Sequence, residues 1–350
     1  MLDPPIFTHL PDMTTPTSRT VSRSARRRLL AAAPALGLAA AAAAPNAWAQ
    51  GRKRVTRIIV PFAPGGGNDV FARQLAFSLN AMTQKDVIVE NKPGAGGNLG
   101  TELVVRAAAD SNTFLLGHTG TIAINPALYK NLSFNASTDL QPVAMFASSA
   151  LLLVVPAASP VKSVAQLADA LKAKNADLTY ASSGAGTGGH LTAEMFLHAL
   201  GARAVHAPYK GTAPALADVA GGQVDFSFSV IPAAMALVKA GKLRALAVTS
   251  AKRLALLPDV PTVAESGVSA LAGFESTLTY GILAPKGVPQ ADVAQLGAEI
   301  LKAASTPEFQ SKLGIEGAEP LLGGAADYAR KVQEESRKWS EVVKFSGASV

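Results

Sequence analysis

Short apolar, β-prone runs alternate with amphipathic helical patterns along most of the chain after residue 50. The runs that predict strands are Val55–Val60, Val87–Glu90, Phe114–Gly117, Val143–Phe146, Leu151–Val155, Leu178–Ala181, Val205–Pro208, Val224–Ser229, Leu243–Thr249 and Tyr280–Ala284. The patterns that predict helices are Val70–Met82, Gly100–Ala109, Val164–Lys174, Leu191–Leu200, Pro214–Ala220 and Ala233–Ala240, followed near the end by Ala291–Ala304, Pro307–Leu313 and Asp327–Phe345. This alternation is typical of an α/β architecture with a mostly parallel sheet.

The three helical patterns at the end of the chain have no new strand to cover, and we expect them to pack back onto an earlier part. A chain of 350 residues also exceeds one ordinary domain. We therefore predict two α/β lobes, a discontinuous first lobe of residues 50–150 and 280–350 and a second lobe of residues 151–279. Two extended connections, near Phe146–Val155 and Phe274–Ala284, would form a hinge, with ligand bound in the cleft between the lobes.

The composition supports large buried cores, with 49 % hydrophobic and 16 % charged residues. Part of the formal net charge of +7 comes from residues 1–49, and from Gln50 onward 27 Lys and Arg stand against 23 Asp and Glu. No dense basic stripe with interleaved aromatic residues is present, so we expect no nucleic-acid partner. The mild positive balance suits an anionic small ligand. The absence of cysteine excludes thiol catalysis and cysteine-bound metals.

Residues 1–49 have the pattern of a removable export signal. Arg26-Arg27 leads into an Ala/Leu-rich run, and Ala47-Trp48-Ala49 offers small residues where a signal peptidase cleaves. The arginine pair indicates twin-arginine export, with the general secretory route as the alternative. An uncleaved anchor is the other interpretation of the run, and Met13 is an alternative start. No later segment reaches membrane-spanning length, so we expect a periplasmic protein.

The most informative single segment is Arg57–Arg73. An apolar run ends in the loop Phe62-Ala63-Pro64-Gly65-Gly66-Gly67, and Asp69 then opens an amphipathic pattern. This order predicts a strand, a glycine turn and a helix N-terminus. Three glycines let the backbone approach a ligand closely, and the free N–H groups of a helix start attract a carboxylate or a phosphate. A tight βα turn that binds nothing is the alternative.

Three further polar, glycine-containing loops follow predicted strands, at Asn91–Gly100, Gly117–Pro126 and Ser182–His190. Each offers backbone N–H groups and hydroxyls to an anion. Each, taken singly, is equally compatible with a structural turn. Four such loops, all at the carboxyl ends of predicted strands, favour a ligand cleft at the edges of two sheets.

The signatures of enzymes and cofactors are incomplete. Gly184-x-Gly186-x-x-Gly189 matches the dinucleotide fingerprint, but the acid expected to bind the ribose is missing near the next predicted strand. His190, Glu194 and His198 share one helical face, yet the zincin motif is absent. Ser182-Ser183 does not form a nucleophile elbow. We therefore expect no catalytic residue, no metal and no cofactor, with an enzyme that uses His190 and a serine as the rival interpretation.

Several ordered motifs resemble those of the Bug-type extracytoplasmic solute receptors, the binding component of tripartite tricarboxylate transporters. They are Val60–Asp69, Val89–Gly97, Ile124–Tyr129, Tyr180–Gly184, His190–Phe196, Pro208–Gly211 and Leu257–Gly267. The resemblance extends from about Arg54 to Trp339. It implies the periplasmic-binding-protein fold, with two α/β lobes joined by a two-strand hinge. It also implies that the protein captures a small organic carboxylate for such a transporter without catalysis. A receptor that serves a sensor is the alternative.

The resemblance further implies how the ligand is held. The loops Phe62–Gly67 and Ser182–Thr187 would act as two jaws on a carboxylate, partly through ordered water, with Thr119–Ile122 contributing from the first lobe. The ligand-binding residues predicted in this way are Phe62, Ala63, Gly65, Gly66, Gly67, Asp69, Thr119, Gly120, Thr121, Ser182, Ser183, Gly184, Gly186, Thr187, His190, Tyr209 and Ser229. We expect a small organic acid and membrane transporter subunits as partners, and a monomer.

Two departures from the family pattern bear on the ligand. Ser229 stands where the family commonly carries a second acid that can face an ammonium group, which argues against an amino-acid ligand. Thr279 stands where a tryptophan often precedes Tyr280-Gly281, which changes the far wall of the expected pocket. Dicarboxylates, tricarboxylates, aromatic acids and neutral solutes all remain open as ligands.

Overall fold

The computed structural model describes residues 55–83, 85–174 and 178–348. The predicted export signal at residues 1–49 lies outside them. The strands are β1 (Val55–Val60), β2 (Asp86–Asn91), β3 (Thr113–His118), β4 (Leu140–Pro156), β5 (Thr179–Ser182), β6 (Val205–Pro208), β7 (Phe226–Val230), β8 (Leu243–Val248), β9 (Thr277–Pro285) and β10 (Ala318–Gly324). They join in one curled sheet with the main order β2-β1-β3-β9-β4-β7-β5-β6, with β8 and β10 also paired to β4.

The helices are α1 (Gly67–Thr83), α2 (Asn98–Val105), α3 (Asn125–Leu128), α4 (Ala136–Asp139), α5 (Val164–Lys174), α6 (Gly188–Leu200), α7 (Thr212–Ala220), α8 (Ile231–Lys239), α9 (Gln290–Ala304), α10 (Pro307–Ile315) and α11 (Ala325–Ser346). One further segment, Gly120–Ile124, is π-helical. Among the helices described, none is both long enough and apolar enough to cross a membrane.

The 17-residue strand β4 connects the two halves of the sheet. Its first part, from Leu140 to Ala150, pairs with β9, whereas Leu151 onward pairs with β7 and β8. The sequence predicts two strands here, but no glycine or proline between Phe146 and Leu151 ends the first one. The change of partner along a single strand places the loops of both halves near each other.

The predicted mostly parallel sheet is correct only for the outer strands. β1 pairs in parallel with β2 and β3, and β5 pairs in parallel with β6 and β7. The centre is antiparallel, because β9 runs against both β3 and β4, and β4 runs against β7, β8 and β10. Antiparallel pairing leaves the apolar pattern of buried strands unchanged, so the sequence pattern alone does not distinguish the two.

The prediction of helices alone at the end of the chain is wrong, because β10 lies between α10 and α11. β10 contains Pro320 and ends in Gly323-Gly324, a composition that is typical of a loop. Its pairing with β4 is interrupted between Pro320 and Gly323, and proline is tolerated in such irregular or edge strands. The predicted helix Gly100–Ala109 is also shorter than expected, ending at Val105 as the chain turns toward β3.

The apolar face predicted for α1 is buried as expected. Phe71, Leu75 and Leu79 are at most 2 % exposed and pack against the sheet. The long helix α11 buries Trp339 and Tyr328 completely. Because α1 is fixed by its buried face, its N-terminus is held in place at the end of β1.

Candidate functional site

A cavity of about 510 Å³ lies among the loops that follow the strands of both halves of the sheet. The predicted binding residues that line it are Phe62, Gly65, Gly66, Gly67, Gly120, Ser183, Gly186, Thr187 and Ser229. The predicted residues that do not line it are Ala63, Asp69, Thr119, Thr121, Ser182, Gly184, His190 and Tyr209. Most of the second group support the loops from behind.

The start of α1 presents backbone N–H groups at the cavity. The carbonyl of Gly66 accepts hydrogen bonds from the N–H of Asp69 (2.9 Å) and of Val70 (3.0 Å). The N–H groups of Gly67 and Asn68 precede these donors and have no acceptor within the helix. Both residues line the cavity, as do Gly65 and Gly66. The positive end of the helix dipole therefore lies at the cavity wall.

Asp69 holds this loop rather than facing the cavity. It is 4 % exposed, and its Oδ2 accepts from the N–H of Gly65 (3.0 Å) and from Nε of Arg73 (2.9 Å). Its Oδ1 accepts from Nδ2 of Asn91 (2.9 Å), which also donates to the carbonyl of Phe62 (3.1 Å). Burial by itself raises the pKa of Asp69, but the hydrogen bonds from Arg73, Gly65 and Asn91 outweigh it and lower that pKa. The loop is thus fixed around an ionised carboxylate.

The start of α6 presents a second set of N–H groups. The carbonyl of Thr187 accepts from the N–H of Leu191 (3.0 Å), so Gly188 and Gly189 are the first residues of the helix and their N–H groups have no acceptor within it. Both glycines line the cavity. A Cβ on Gly189 would lie 2.4 Å from the carbonyl oxygen of Phe228, so only glycine fits there.

Neutral side chains support the loop before α6. The N–H of Gly186 donates to Nδ1 of His190 (2.9 Å), and the Oγ of Ser182 lies 2.7 Å from Nε2 of His206. The two imidazole rings stack with centroids 3.9 Å apart. Burial lowers the pKa of both histidines to about 4, and the neighbouring His206 adds to the effect on His190. Both rings are therefore neutral at physiological pH.

These contacts do not form a catalytic triad at the cavity. Ser182 is 1 % exposed and does not line it, and its histidine partner is His206 rather than His190. Glu194 accepts from the hydroxyl of Tyr180 and lies 4.0 Å from Nε2 of His190. Within residues 55–83, 85–174 and 178–348, no group of three or more His, Cys, Asp or Glu has the arrangement of a metal site.

The third loop places His118 at the cavity and turns its threonines away. The N–H of Gly120 donates to Nδ1 of His118 (3.0 Å), so the neutral ring carries its proton on Nε2. Burial lowers the pKa of His118 to about 4. Thr121 donates to the carbonyl of His118 (3.0 Å). Thr119 donates to the buried carboxylate of Glu335 on α11, which fixes the loop against that helix.

Glu335 also binds Thr279, the residue that stands where the family often has a tryptophan. The hydroxyl of Thr279 donates to Oε1 of Glu335 (2.8 Å), and its N–H donates to the Oγ1 of Thr119 (2.8 Å). Lys331 lies 3.4 Å from the same carboxylate oxygen. A buried polar network thus stands behind the cavity wall at this position.

Four rings that line the cavity form a continuous aromatic wall. The centroids of Phe62 and His118 are 5.6 Å apart, those of His118 and Tyr280 are 5.2 Å apart, and those of Tyr280 and Phe71 are 4.8 Å apart. All four residues line the cavity. The wall offers a ligand an apolar surface beside the polar helix starts.

Tyr209 and Ser229 have different places. Tyr209 lies behind the second loop, where its N–H donates to the carbonyl of Ser182 (3.0 Å) and its hydroxyl donates to Asp218 (2.5 Å). Ser229 lines the cavity and is 6 % exposed. The loop Asn91–Gly100 contributes only Gly96 to the lining.

Several lining residues were not predicted. Asn68, Gly188 and Gly189 stand directly beside predicted ones, so the glycine runs themselves were the signal. The Oδ1 atom of Asn68 is buried and has no hydrogen-bond partner among the described residues. Glu316 gave no signal, because it follows α10 far along the chain and no motif includes it.

The charge of the lining is unusual for an anion site. Among the described residues that line the cavity there is no Lys or Arg, and Glu316 is the one Asp or Glu. An anion in the cavity would therefore rely on N–H groups, hydroxyls and helix dipoles. A cleft of this form between the loops of two α/β halves is typical of solute-binding proteins.

Comparison with known proteins agrees with this class. The family model described as "Tripartite tricarboxylate transporter family receptor" matches residues 71–347. The chain is 32 % identical to protein BugT of Bordetella pertussis over 324 residues, 92 % of this chain and 98 % of that protein. This chain therefore belongs to the tripartite tricarboxylate transporter receptor family.

Solved structures have the same two-lobe fold. R. palustris Rpa4515 with adipate matches with a TM-score of 0.76 and 34 % identity, covering 85 % of this chain and 99 % of that one. The periplasmic binding protein BugD matches with a TM-score of 0.72 and 35 % identity, covering 85 % and 99 %. MatC from Rhodopseudomonas palustris with bound malate matches with a TM-score of 0.72 and 30 % identity, covering 84 % and 100 %. The predicted fold class is confirmed.

Proposed function

We propose that this chain is a periplasmic receptor that binds a small organic carboxylate in the cavity between the glycine loops. The observation that carries the proposal is that two helix starts, those of α1 and α6, lie at one cavity. No Lys or Arg is found among the described residues that line this cavity. Two relatives hold adipate and malate, which supports the same chemical class of ligand.

Binding would replace the water around the carboxylate with fixed N–H donors. A helix N-terminus stabilises an anion by about 0.3–1 kcal/mol at an exposed position and by up to about 2 kcal/mol when partly buried. Hydrogen bonds to a charged acceptor are roughly twice as strong as those to a neutral one. The N–H groups of Gly67, Asn68, Gly188 and Gly189 supply such donors from two sides without a salt bridge.

We infer that the lobes are residues 50–150 with 280–350 and residues 151–279, and that they close on the ligand. The change of β4 partners between Ala150 and Leu151 supports this division. A Cβ on Gly186 would lie 2.0 Å from Cδ2 of Leu128, so the two lobes are in tight contact at the cavity. Small-angle scattering should give a smaller radius of gyration with the tightest organic acid, and an unchanged radius at saturation would refute closure.

We also propose that residues 1–49 direct export and are removed. N-terminal sequencing of the periplasmic protein should then begin near Gln50, and a start at residue 1 or 13 would contradict this. Replacing Arg26 and Arg27 by lysine should leave precursor in the cytoplasm if the twin-arginine route is used. The exported monomer would deliver its ligand, chemically unchanged, to the membrane subunits of a tripartite transporter.

A thermal-shift screen with hexanoate, adipate, malate and benzoate tests the binding function. A ligand at 100 times its Kd should stabilise the protein by about 2.7 kcal/mol. Gly66→Val should abolish the shift. A Cβ on Gly66 would meet no atom within 4 Å and the residue does not have a positive φ, so the cavity wall can accommodate a larger residue there without strain.

Gly324→Val is the matched control. Gly324 also precedes a helix, α11, has open space for a Cβ, and does not line the cavity. The control should keep the full ligand response. An undiminished response in Gly66→Val would place the ligand elsewhere, and no response to any organic acid would refute the proposed function.

A further inference from the structure

Glu316 brings a single negative charge into the wall of the cavity. It follows α10, its N–H donates to the carbonyl of Leu313 (3.0 Å), and its side chain is half-buried. Among the described residues it has no ion-pair partner, and no Lys or Arg lines the cavity to offset it. Glu316 therefore places an acidic side chain at the wall of the ligand space.

The backbone around Glu316 is fixed. Gly317, the next residue, has a φ of +67°, and a Cβ there would lie 2.7 Å from Cβ of Ile231, the first residue of α8. Ala318 then pairs with Ser149 of β4, which itself lines the cavity. Glu316 is thus anchored on both sides and enters the cavity next to the start of α8.

A second carboxylate on the ligand would meet this charge within a cavity of about 510 Å³. The helix starts of α1 and α6 stabilise one anionic group, but like charges at short distance in a desolvated site repel each other. Another part of the wall is aromatic, formed by the rings of Phe62, His118, Tyr280 and Phe71. Such a wall stabilises an uncharged hydrocarbon body instead.

We propose that the cavity takes a monocarboxylate with an apolar body, and that Glu316 excludes ligands with a second carboxylate. A hydroxyl at the far end of the body can donate a hydrogen bond to Glu316, as a charge-assisted bond. This inference rests on the proposed carboxylate-binding function. It separates this chain from the relatives that hold adipate and malate, both dicarboxylates.

Calorimetry with three six-carbon acids tests the inference: hexanoate, 6-hydroxyhexanoate and adipate. They share one chain length, so the second end group is the main difference. The wild-type protein should bind adipate at least about tenfold more weakly than hexanoate, as a like-charge contact predicts, and should bind 6-hydroxyhexanoate at least as tightly as hexanoate. Glu316→Gln should narrow the difference between adipate and hexanoate by about fivefold or more.

Glu319→Gln is the matched control, because Glu319 is exposed on the adjoining strand β10 and does not line the cavity. It should leave all three affinities unchanged. Tighter binding of adipate than of hexanoate in the wild type, or an unchanged ratio in Glu316→Gln, would overturn the role of Glu316 while leaving carboxylate binding intact. Failure of all three acids to bind, together with no response to malate or benzoate in the thermal-shift screen, would refute both.

Discussion

The loop before α1 is held by a charged group, whereas the loop before α6 is held by neutral ones. Asp69 accepts hydrogen bonds from Gly65, Arg73 and Asn91 as an ionised carboxylate. His190 accepts from the N–H of Gly186 through a neutral imidazole. Both arrangements leave the N–H groups of a helix start facing the same cavity.

The difference shows that two loops with the same role can be held by different kinds of hydrogen-bond acceptor. A buried ionised carboxylate at the start of α1 is favoured by the helix dipole itself, and Arg73 balances its charge. At the start of α6 the acceptor is a neutral ring stacked on His206, which adds no negative charge to the cavity. The first loop should therefore tolerate acid better than the second.

The largest effect is expected from Gly186→Val. Gly186 has a φ of +74°, which costs a side-chain-bearing residue about 1–2 kcal/mol. A Cβ would also lie 2.0 Å from Leu128, and overpacking of this kind costs about 1–3 kcal/mol. Calorimetry should show loss of ligand binding in a folded protein.

Two further variants separate the causes. Gly65, in the other loop, has a φ of +84° but open space around a Cβ. Gly65→Ala should therefore introduce only backbone strain and weaken binding less than Gly186→Val does. Adding Leu128→Ala to Gly186→Val should restore part of the affinity. Equal losses in Gly65→Ala and Gly186→Val, without recovery in the double variant, would show that the contact with Leu128 is unimportant.

A smaller but substantial effect is expected from Asp69→Asn. The substitution removes the ionised acceptor shared by Gly65 and Arg73, and hydrogen bonds to charged groups contribute about 1.5–3 kcal/mol. Urea unfolding should show a lower free energy of unfolding, and ligand affinity should fall with it. Asp169→Asn, at an exposed position on α5, is the control and should change neither quantity. Wild-type stability in Asp69→Asn would contradict the support role.

The pH dependence of stability should distinguish the two loops. His190 and His206 have a folded-state pKa of about 4, below the ordinary 6.5, so the unfolded chain binds more protons between these values. The contribution of the two neutral histidines to the free energy of unfolding is complete above pH 6.5 and is lost as the pH falls toward 4. The pKa of Asp69 is lowered, so its contribution persists until the pH falls below 3.8.

Urea unfolding at pH 7.5, 5.5 and 4.5 measures this loss. His118, whose pKa is also about 4, makes stability depend on pH in the same range. His190→Gln should therefore reduce, but not abolish, the fall of the free energy of unfolding between pH 7.5 and 4.5. Asp69→Asn should leave the slope between pH 7.5 and 4.5 unchanged. A pH dependence that is reduced by Asp69→Asn and not by His190→Gln would contradict the assignment of this dependence to the histidines.

The smallest effect is expected from Ser183→Ala. Ser183 lines the cavity, while its carbonyl accepts from the N–H of Gly211 (3.1 Å) and keeps the loop in place. Loss of a neutral hydrogen bond to the ligand should weaken binding by about 0.5–1.5 kcal/mol, or up to about 3 kcal/mol if the ligand oxygen is charged. Unchanged affinity would place the ligand away from this hydroxyl.

Glycine-rich loops and several strands were predictable because their sequence patterns are local. β1 and β6 match the predicted bounds, and most glycines of the two jaw loops line the cavity. Long-range pairing was not predictable in the same way. The antiparallel centre and the strand β10, with its Pro320, depend on partners distant in sequence.

The supporting residues were misplaced for a related reason. Asp69 and His190 are polar residues near a helix start, but each accepts a hydrogen bond from a loop N–H four residues before it. The sequence does not tell whether a side chain at a helix start points into the cavity or back to the preceding loop. Glu316 lies outside every motif and reaches the cavity only through the pairing of β10 with β4.

Anion recognition by the two helix starts is tested most directly by comparing hexanoate with its neutral amide, hexanamide, by calorimetry on the wild-type protein and on Gly66→Val. The two compounds have nearly the same shape, so the comparison isolates the negative charge that the starts of α1 and α6 should hold. We expect the wild-type protein to bind hexanoate at least about tenfold more tightly than hexanamide, and Gly66→Val to bind neither. Equal binding of acid and amide by the wild-type protein would contradict recognition of the charge by the two helix starts.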